Sequence, residues 1–87
     1  MGYGGDMKVK VRFFAAPREA VGTGEIEQVL PAGSTVGELI DTLTKKYPVL
    51  VPYAGFIRVA VNRVYAGREA ELHDGDEVAW LPPVGGG

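Results

Sequence analysis

The segment from Thr35 to Tyr47 constrains the fold more than any other part of the chain. Thr35 and Glu38 have the spacing of a capping box, in which a hydroxyl and a carboxylate each satisfy a backbone amide that the first helical turn leaves unpaired. Pro48 is expected to end the helix near Tyr47, because the residue before a proline disfavours the helical conformation. Between these ends, apolar residues recur at helical spacing and make one face of the helix apolar: Val36, Leu39, Ile40, Leu43 and Tyr47.

The first third of the chain has the pattern of strands. Residues 8–14 alternate with period two, which predicts a strand with two distinct faces. The faces carry Val9, Val11 and Phe13 on one side and Lys8, Lys10, Arg12 and Phe14 on the other. Residues 25–30 are predicted to be a second strand, and residues 17–21 a helical turn within the connection.

The sequence after the helix has strand patterns as well. Residues 48–55 are predicted to be a loop, because prolines and a glycine interrupt them. Residues 56–62 have the composition of a buried strand, and a turn leads from them to a short extended piece at 64–65. The segment Leu72-His73-Asp74-Gly75-Asp76 is predicted to be a turn before the last strand, residues 77–81.

This order of elements predicts an α+β fold, a mixed sheet of four to five strands packed on one main helix. The first and last strands can be central and parallel, with hairpins on each side, which is the ubiquitin-like arrangement also called β-grasp. The predicted domain spans residues 7–81. Residues 1–6 are expected to be a loose N-terminal extension and residues 82–87 a flexible tail.

Composition excludes several classes of function. The 87 residues have a net charge of −2, so no basic excess points to nucleic acid or to an anionic membrane. The chain has no cysteine and one histidine, His73, so we expect neither a thiol nucleophile nor a metal site. No apolar run approaches the roughly 20 residues that span a bilayer. Residues 1–6 lack the pattern of a signal peptide, and the expected location is the cytoplasm.

The last six residues, Pro82-Pro83-Val84-Gly85-Gly86-Gly87, are suited to passage through a narrow channel. Glycine has no Cβ and adopts any backbone angle that a channel requires. The prolines fix φ where the tail leaves the domain. Six extended residues reach roughly 20 Å, enough to carry the carboxylate of Gly87 into the active site of another protein. A frayed terminus is the alternative, and the glycines alone do not decide between the two.

Both ends of the chain resemble a known family. Residues 9–23, VKVRFFAAPREAVGT, and residues 72–87, LHDGDEVAWLPPVGGG, resemble the ends of the small subunit of molybdopterin synthase, a sulfur carrier. Val61-Asn62 stands where that family has a Val-Asn pair. The resemblance covers residues 7–87 and is weak across the helix. It departs from the family pattern at residues 1–6, which have no counterpart, while Gly85 occupies a position that varies before the terminal diglycine.

The resemblance implies a carrier that catalyses nothing itself. A partner resembling ubiquitin-activating enzymes would use ATP to adenylate the carboxylate of Gly87, which would then become a thiocarboxylate. The tail would enter the large subunit of molybdopterin synthase and give sulfur to cyclic pyranopterin monophosphate. The resemblance also implies assembly with the large subunit as a heterotetramer of two small and two large subunits. No cofactor is expected on the chain itself.

The resemblance also implies roles for individual residues. Gly87 would carry the reacting group, and the five residues before it, Pro82 to Gly86, would allow its passage. Phe14, Tyr65 and Leu81 would belong to an apolar contact surface for partners. For Phe14 and Leu81, the alternation of their strands also predicts an outward orientation. Arg18 is predicted to pair with acidic groups of a partner, although a solvated surface charge is the alternative for it and for Arg68.

Other residues have simpler predicted roles, and other functions stay open. Trp80 is predicted to lie in the core, His73 to be exposed, and Asp74 and Asp76 to bond backbone amides of their turn. The alternatives to a molybdopterin carrier are a sulfur carrier for thiamine or tungsten cofactor synthesis, a protein modifier joined through Gly87 to lysines, and a passive ubiquitin-like binding module.

Overall fold

The computed structural model describes residues 5–55 and 57–81. Within these residues the helices are α1 (Ala15–Val21), α2 (Val36–Lys46), a 3₁₀ helix (Pro48–Leu50) and α3 (Val51–Ala54). The strands are β1 (Asp6–Phe13), β2 (Glu25–Pro31), β3 (Arg58–Val61), β4 (Val64–Ala66) and β5 (Glu77–Leu81).

The strands form one mixed sheet in the order β2-β1-β5-β3-β4. β1 and β5 lie side by side at the centre and run parallel, while the other neighbouring strands are antiparallel. The predicted α+β architecture is confirmed, including the central parallel pair. Because β1 and β5 are parallel, their carboxyl ends lie at the same edge of the sheet, and residue 82 follows directly from that edge.

The core lies between α2 and one face of the sheet. Alternate residues of β1 are buried, Met7, Val9, Val11 and Phe13, as the period-two pattern predicts. The apolar face of α2 is buried too, through Val36, Leu39, Ile40 and Leu43. Trp80 is 1% exposed, and its ring centroid lies 5.9 Å from that of Phe13. The prediction that Trp80 belongs to the core is therefore confirmed.

The predicted capping box starts α2. The Thr35 hydroxyl accepts from the Glu38 amide at 3.3 Å, and the Glu38 carboxylate accepts from the Thr35 amide at 2.8 Å. The next two amides donate to a segment distant in sequence, Val36 to the carbonyl of Ala70 and Gly37 to that of Arg68. All of these amides are ones that a helix leaves unpaired at its start.

We expect the Thr35→Ala variant to lose about 1 kcal/mol of unfolding free energy, because the Glu38 amide would have no capping acceptor. Thr44→Ala is the matched control, since Thr44 lies in the last turns of the same helix and its hydroxyl donates only to the carbonyl of Asp41. Alanine has the higher helix propensity, so the control should be neutral or slightly more stable. Urea denaturation followed by circular dichroism measures both. Equal losses in the two variants would contradict the capping role.

The prediction of a loop at 48–55 is wrong, because a 3₁₀ helix and α3 occupy most of this segment. Pro48 and Pro52 stand in the first positions of these helices, where the missing amide costs no hydrogen bond. Leu50 is fully buried and attaches the segment to the core. The prolines therefore begin helices here.

Several other element boundaries also differ from the predicted ones. α1 begins at Ala15, two residues before the predicted helical turn, and β3 covers only Arg58–Val61 of the predicted strand at 56–62. Sheet pairing starts at Asp6, one residue before the predicted start of the domain, and the Gly5 carbonyl accepts from the Ala32 amide at 3.0 Å. Residues 1–4 and 82–87 lie outside the described residues, so the predicted extension and tail stay predictions.

Candidate partner-binding face of the sheet

The second face of the sheet has no helix across it in the described part of the chain, and we call it the open face. The strand register aligns Arg12 with Ala79, Ala79 with Ala60, and Ala60 with Tyr65, so these four residues form one row across β1, β5, β3 and β4. The next row, nearer the carboxyl end of β5, pairs Leu81 with Arg58.

Phe14 extends this second row. Its backbone is extended, with φ −133° and ψ 153°, so the alternation of β1 continues through it. The guanidinium of Arg12, two residues earlier, lies 5.6 Å from the centroid of the Phe14 ring, which confirms that both side chains share a face. The pairing of β1 with β5 ends at Phe13 and Trp80, and Phe14 and Leu81 are the residues that follow this pair.

Five residues therefore form one apolar patch on the open face: Phe14, Ala60, Tyr65, Ala79 and Leu81. Phe14 and Leu81 are partly exposed, and the Tyr65 side chain is 65% exposed. Ala60 is buried beneath its neighbours. The three apolar residues that the resemblance assigned to a contact surface are thus brought together, at the edge from which residue 82 continues. Clustered exposed apolar side chains mark surfaces that bind other proteins.

Charged pairs cover the rest of the open face. Lys8 lies 3.7 Å from Glu27, Lys10 lies 3.7 Å from Glu25, and Arg12 lies 3.1 Å from Glu77. All six side chains are more than a third exposed, so each pair contributes little to stability. Their effect is to neutralise this half of the face and to confine the apolar surface to the half near the carboxyl end of β5.

A network of hydrogen bonds holds β5 at the opposite end of the sheet. Asn62 and Arg63 form the turn between β3 and β4, both with positive φ, as a type I′ hairpin turn requires. The Asn62 side chain donates to Asp76 at 2.9 Å and accepts from the Glu77 amide at 3.0 Å. This network fixes β5 against β3 and so determines where Leu81 lies.

Of the two aspartates predicted to bond amides of the last turn, Asp76 does so, whereas Asp74 bonds an amide of β1. Asp76 accepts from the His73 amide at 2.8 Å, and Asp74 accepts from the Lys8 amide at 2.8 Å. The His73 side chain is 74% exposed, also as predicted. Asn62, by contrast, is a residue whose cross-linking role sequence reasoning missed. The Val-Asn pair was its only signal, because the contact joins two turns that are distant in sequence.

The two predicted arginines differ in their surroundings. Arg18 lies on α1, and its Nε lies so close to Gly24 that a Cβ there would be 3.1 Å away. The Gly24 carbonyl accepts from the Phe13 amide, so Arg18 is at the same end of the sheet as the apolar patch without belonging to it. Arg68 forms a salt bridge with Asp41 of α2 at 3.2 Å, so its charge already has a partner within the chain.

Three further features of the chain are its predicted tail, its potential metal ligands and its potential membrane spans. Gly87 and the passage residues Pro82, Pro83, Val84, Gly85 and Gly86 lie outside the described residues. Within residues 5–55 and 57–81, no three histidine, aspartate or glutamate side chains come close enough together to hold a metal ion. In the same residues, no helix has both the length and the apolar character needed to cross a bilayer.

The fold defines the class of the protein as ubiquitin-like β-grasp. A solved structure, the putative molybdopterin converting factor subunit 1 from Pyrococcus furiosus, superposes with a TM-score of 0.82 at 36% identity, covering 90% of this chain and 99% of that one. The chain belongs to the ThiS family, whose model matches residues 11–87. The resemblance seen in the sequence is therefore confirmed at the level of the family.

Relatives with named functions add to the comparison of folds. The molybdopterin synthase sulfur carrier subunit of Mycobacterium tuberculosis is 43% identical over 82 residues, covering 93% of this chain and 99% of that protein. Small archaeal modifier protein 3 of Haloferax volcanii is 35% identical over 92 residues, covering 93% and 100%. A solved complex of subunits 1 and 2 of the molybdopterin-converting factor from Helicobacter pylori contains a similar chain, with 27% identity, a TM-score of 0.66 and coverage of 93% and 100%.

Proposed function

We propose that this protein is the sulfur carrier and small subunit of molybdopterin synthase. The observation that carries the proposal is the 43% identity, over nearly all of both chains, to a curated subunit of that name. The position of the apolar patch supports it, because a carrier must present its body to a partner while its tail enters that partner's active site. β1 and β5 are parallel, so the patch lies at the edge of the sheet where β5 ends at Leu81.

The proposed chemistry takes place at the carboxylate of Gly87. A carboxylate is a poor electrophile because its charge is delocalised. Attack of the carboxylate on ATP forms an acyl-adenylate and releases pyrophosphate. A sulfur nucleophile then displaces AMP, and the resulting thiocarboxylate concentrates charge on a soft sulfur. That sulfur attacks a carbon of cyclic pyranopterin monophosphate, and hydrolysis of the resulting thioester leaves the sulfur on the pterin and returns the carboxylate of Gly87. Two loaded carriers supply the two sulfurs of the dithiolene.

In this proposal the partners supply the catalytic groups, and the chain supplies the carboxylate and the docking surface. The solved complex of the two Helicobacter pylori subunits supports a large-subunit partner. A heterotetramer of two small and two large subunits, and an adenylating partner related to ubiquitin-activating enzymes, complete the proposed set. No cofactor of its own is assigned to the chain. The use of ATP by the activating partner is consistent with a cytoplasmic location.

Intact mass spectrometry tests the carrier chemistry. The chain is incubated with its activating enzyme, ATP and a sulfur donor. The expected product is heavier by the difference between one sulfur and one oxygen, and fragmentation should place the gain on Gly87. Omission of ATP is the control and should leave the mass unchanged. An activating enzyme that loads another carrier, but leaves this chain unmodified, would contradict the proposal.

Phe14→Arg is expected to weaken binding to the large subunit while changing the unfolding free energy by no more than about 1 kcal/mol, because Phe14 is a surface residue outside the core. Phe13→Ala is the matched comparison, because Phe13 is the adjacent residue and is 1% exposed on the opposite, core-facing side of the sheet. That variant should lose about 3–5 kcal/mol of stability. Isothermal titration calorimetry and urea denaturation give the two quantities. A large loss of stability in Phe14→Arg would place Phe14 in the core.

A second candidate function is conjugation to other proteins through Gly87. The observation that favours it is the 35% identity to small archaeal modifier protein 3 of Haloferax volcanii. The same activated carboxylate would then acylate a lysine amine in place of a sulfur nucleophile. Digested cell extract should contain lysines carrying remnants of the glycine tail if conjugation occurs. Thiocarboxylate without such remnants would leave sulfur transfer as the only function.

A further inference from the structure

Arg58 is the basic residue of the open face that has no carboxylate within 4.0 Å among residues 5–55 and 57–81. Lys8, Lys10 and Arg12 are each paired with a glutamate. Arg58 contacts an aromatic ring instead, with its guanidinium carbon 5.9 Å from the centroid of Tyr65. We propose that Arg58 is a specificity-determining residue that pairs with a carboxylate of the synthase large subunit, and this inference rests on the function proposed above.

The position of Arg58 makes it part of the docking surface. It pairs with Leu81 across β3 and β5, and its ring partner Tyr65 belongs to the apolar patch. Arg58 itself is exposed. A partner that covers Tyr65 and Leu81 must therefore also cover the guanidinium or lie directly against it.

The physical argument concerns the loss of water around the charge. A guanidinium has five N–H donors, and covering it without acceptors leaves a desolvated charge unpaired. The Tyr65 ring attracts the cation but offers its N–H groups no in-plane acceptor. A carboxylate matches the fork of the guanidinium with two parallel hydrogen bonds. The partner that fits this surface therefore presents an apolar anchor with an acidic side chain beside it.

The contact with Tyr65 also prepares the arginine for binding. Stacking against the ring reduces the number of conformations that the long side chain must lose when it pairs. Lysine at this position would keep the charge but would lose the planar fork. Affinity should therefore fall in the order Arg58, Arg58→Lys, Arg58→Met and Arg58→Glu.

Binding measurements against salt provide the first test. With the cognate large subunit and the full chain, Arg58→Glu should weaken binding by about tenfold or more at low ionic strength, because two carboxylates would face each other. Arg58→Met should bind with a smaller dependence on salt than the unchanged protein. Arg63→Glu is the matched control, because Arg63 is an exposed arginine in the turn at the opposite end of the sheet. It should leave both quantities nearly unchanged.

Zero-length cross-linking provides the second test. A carbodiimide joins an amine to a carboxylate only where the two are in contact. The Arg58→Lys variant should therefore yield a cross-linked peptide from position 58 to an aspartate or glutamate of the large subunit. Arg63→Lys should yield none from position 63.

The outcomes separate this inference from the proposed function. Failure of the unchanged chain to bind the large subunit would overturn the proposed function. Normal binding by Arg58→Glu, with unchanged salt dependence and no cross-link from the Arg58→Lys variant, would overturn the inference and leave the carrier function standing. Equal effects of the Arg58 and Arg63 charge reversals would also overturn it, since net charge would then explain both.

Discussion

A chain extended by one alanine after Gly87 is expected to lose sulfur transfer completely while its domain stays folded. One extended residue moves the reacting carboxylate by about 3.5 Å, which is farther than an active site tolerates for a reacting group. The added residue would also convert the carboxylate of Gly87 into an unreactive amide. The mass assay for thiocarboxylate and the formation of molybdopterin by the reconstituted synthase measure the loss.

Two controls make this result specific. A matched extension by one alanine before Met1 adds the same residue far from Gly87 along the chain and should leave sulfur transfer intact. Thermal unfolding of all three proteins should coincide, because the additions lie outside the core. Sulfur transfer by the C-terminally extended chain, with the alanine still attached at the end of the reaction, would refute the role of the Gly87 carboxylate.

Replacement of Trp80 by alanine is expected to cause a large loss of stability, in the same range as Phe13→Ala. The side chain is 1% exposed and packs against Phe13 in the middle of the core. Removal of a buried tryptophan costs about 3–5 kcal/mol through lost burial and the cavity that remains. Small domains have total stabilities of about 5–15 kcal/mol, so Trp80→Ala should bring the chain close to unfolding.

Circular dichroism in urea is the appropriate measurement, because Trp80 is the only tryptophan and its fluorescence disappears with the substitution. Tyr65→Ala is the matched aromatic control, since its side chain is 65% exposed on the open face. That variant should lose less than about 1 kcal/mol, including its contact with Arg58. Similar losses in the two variants would show that the open face is covered in solution.

Patterns within a short stretch of sequence predicted the elements whose form depends on residues close together in the sequence. The capping box of α2 and the alternation of β1 appear in the structure as the sequence implies. The first depends on contacts within a few residues, and the second on the two-residue period of an extended strand. The prediction of a loop at 48–55 was wrong for an identifiable reason. Two prolines suggest an interruption, yet each occupies a helix start. The burial of Leu50, with the packing of Tyr53 and Ala54 against the core, stabilises those short helices.

The candidate site was partly predictable in the same way. Alternation alone indicated that Phe14 and Leu81 point away from the core. That Ala60 and Ala79 belong to the apolar patch depends on the register between β3 and β5, which come from distant parts of the chain. The contact between Arg58 and Tyr65 and the hydrogen bond from Asn62 to Asp76 also depend on how the strands pair.

The sequence by itself determined the order of the strands and the main helix, the buried faces of β1 and β5, and the family to which the chain belongs. The tertiary structure decided which exposed residues lie together. Parallel pairing of β1 with β5 brings Phe14 and Leu81 to the same edge of the sheet. The physical reason is that periodicity acts over a few residues, whereas strand register is set by packing of the whole sheet against α2.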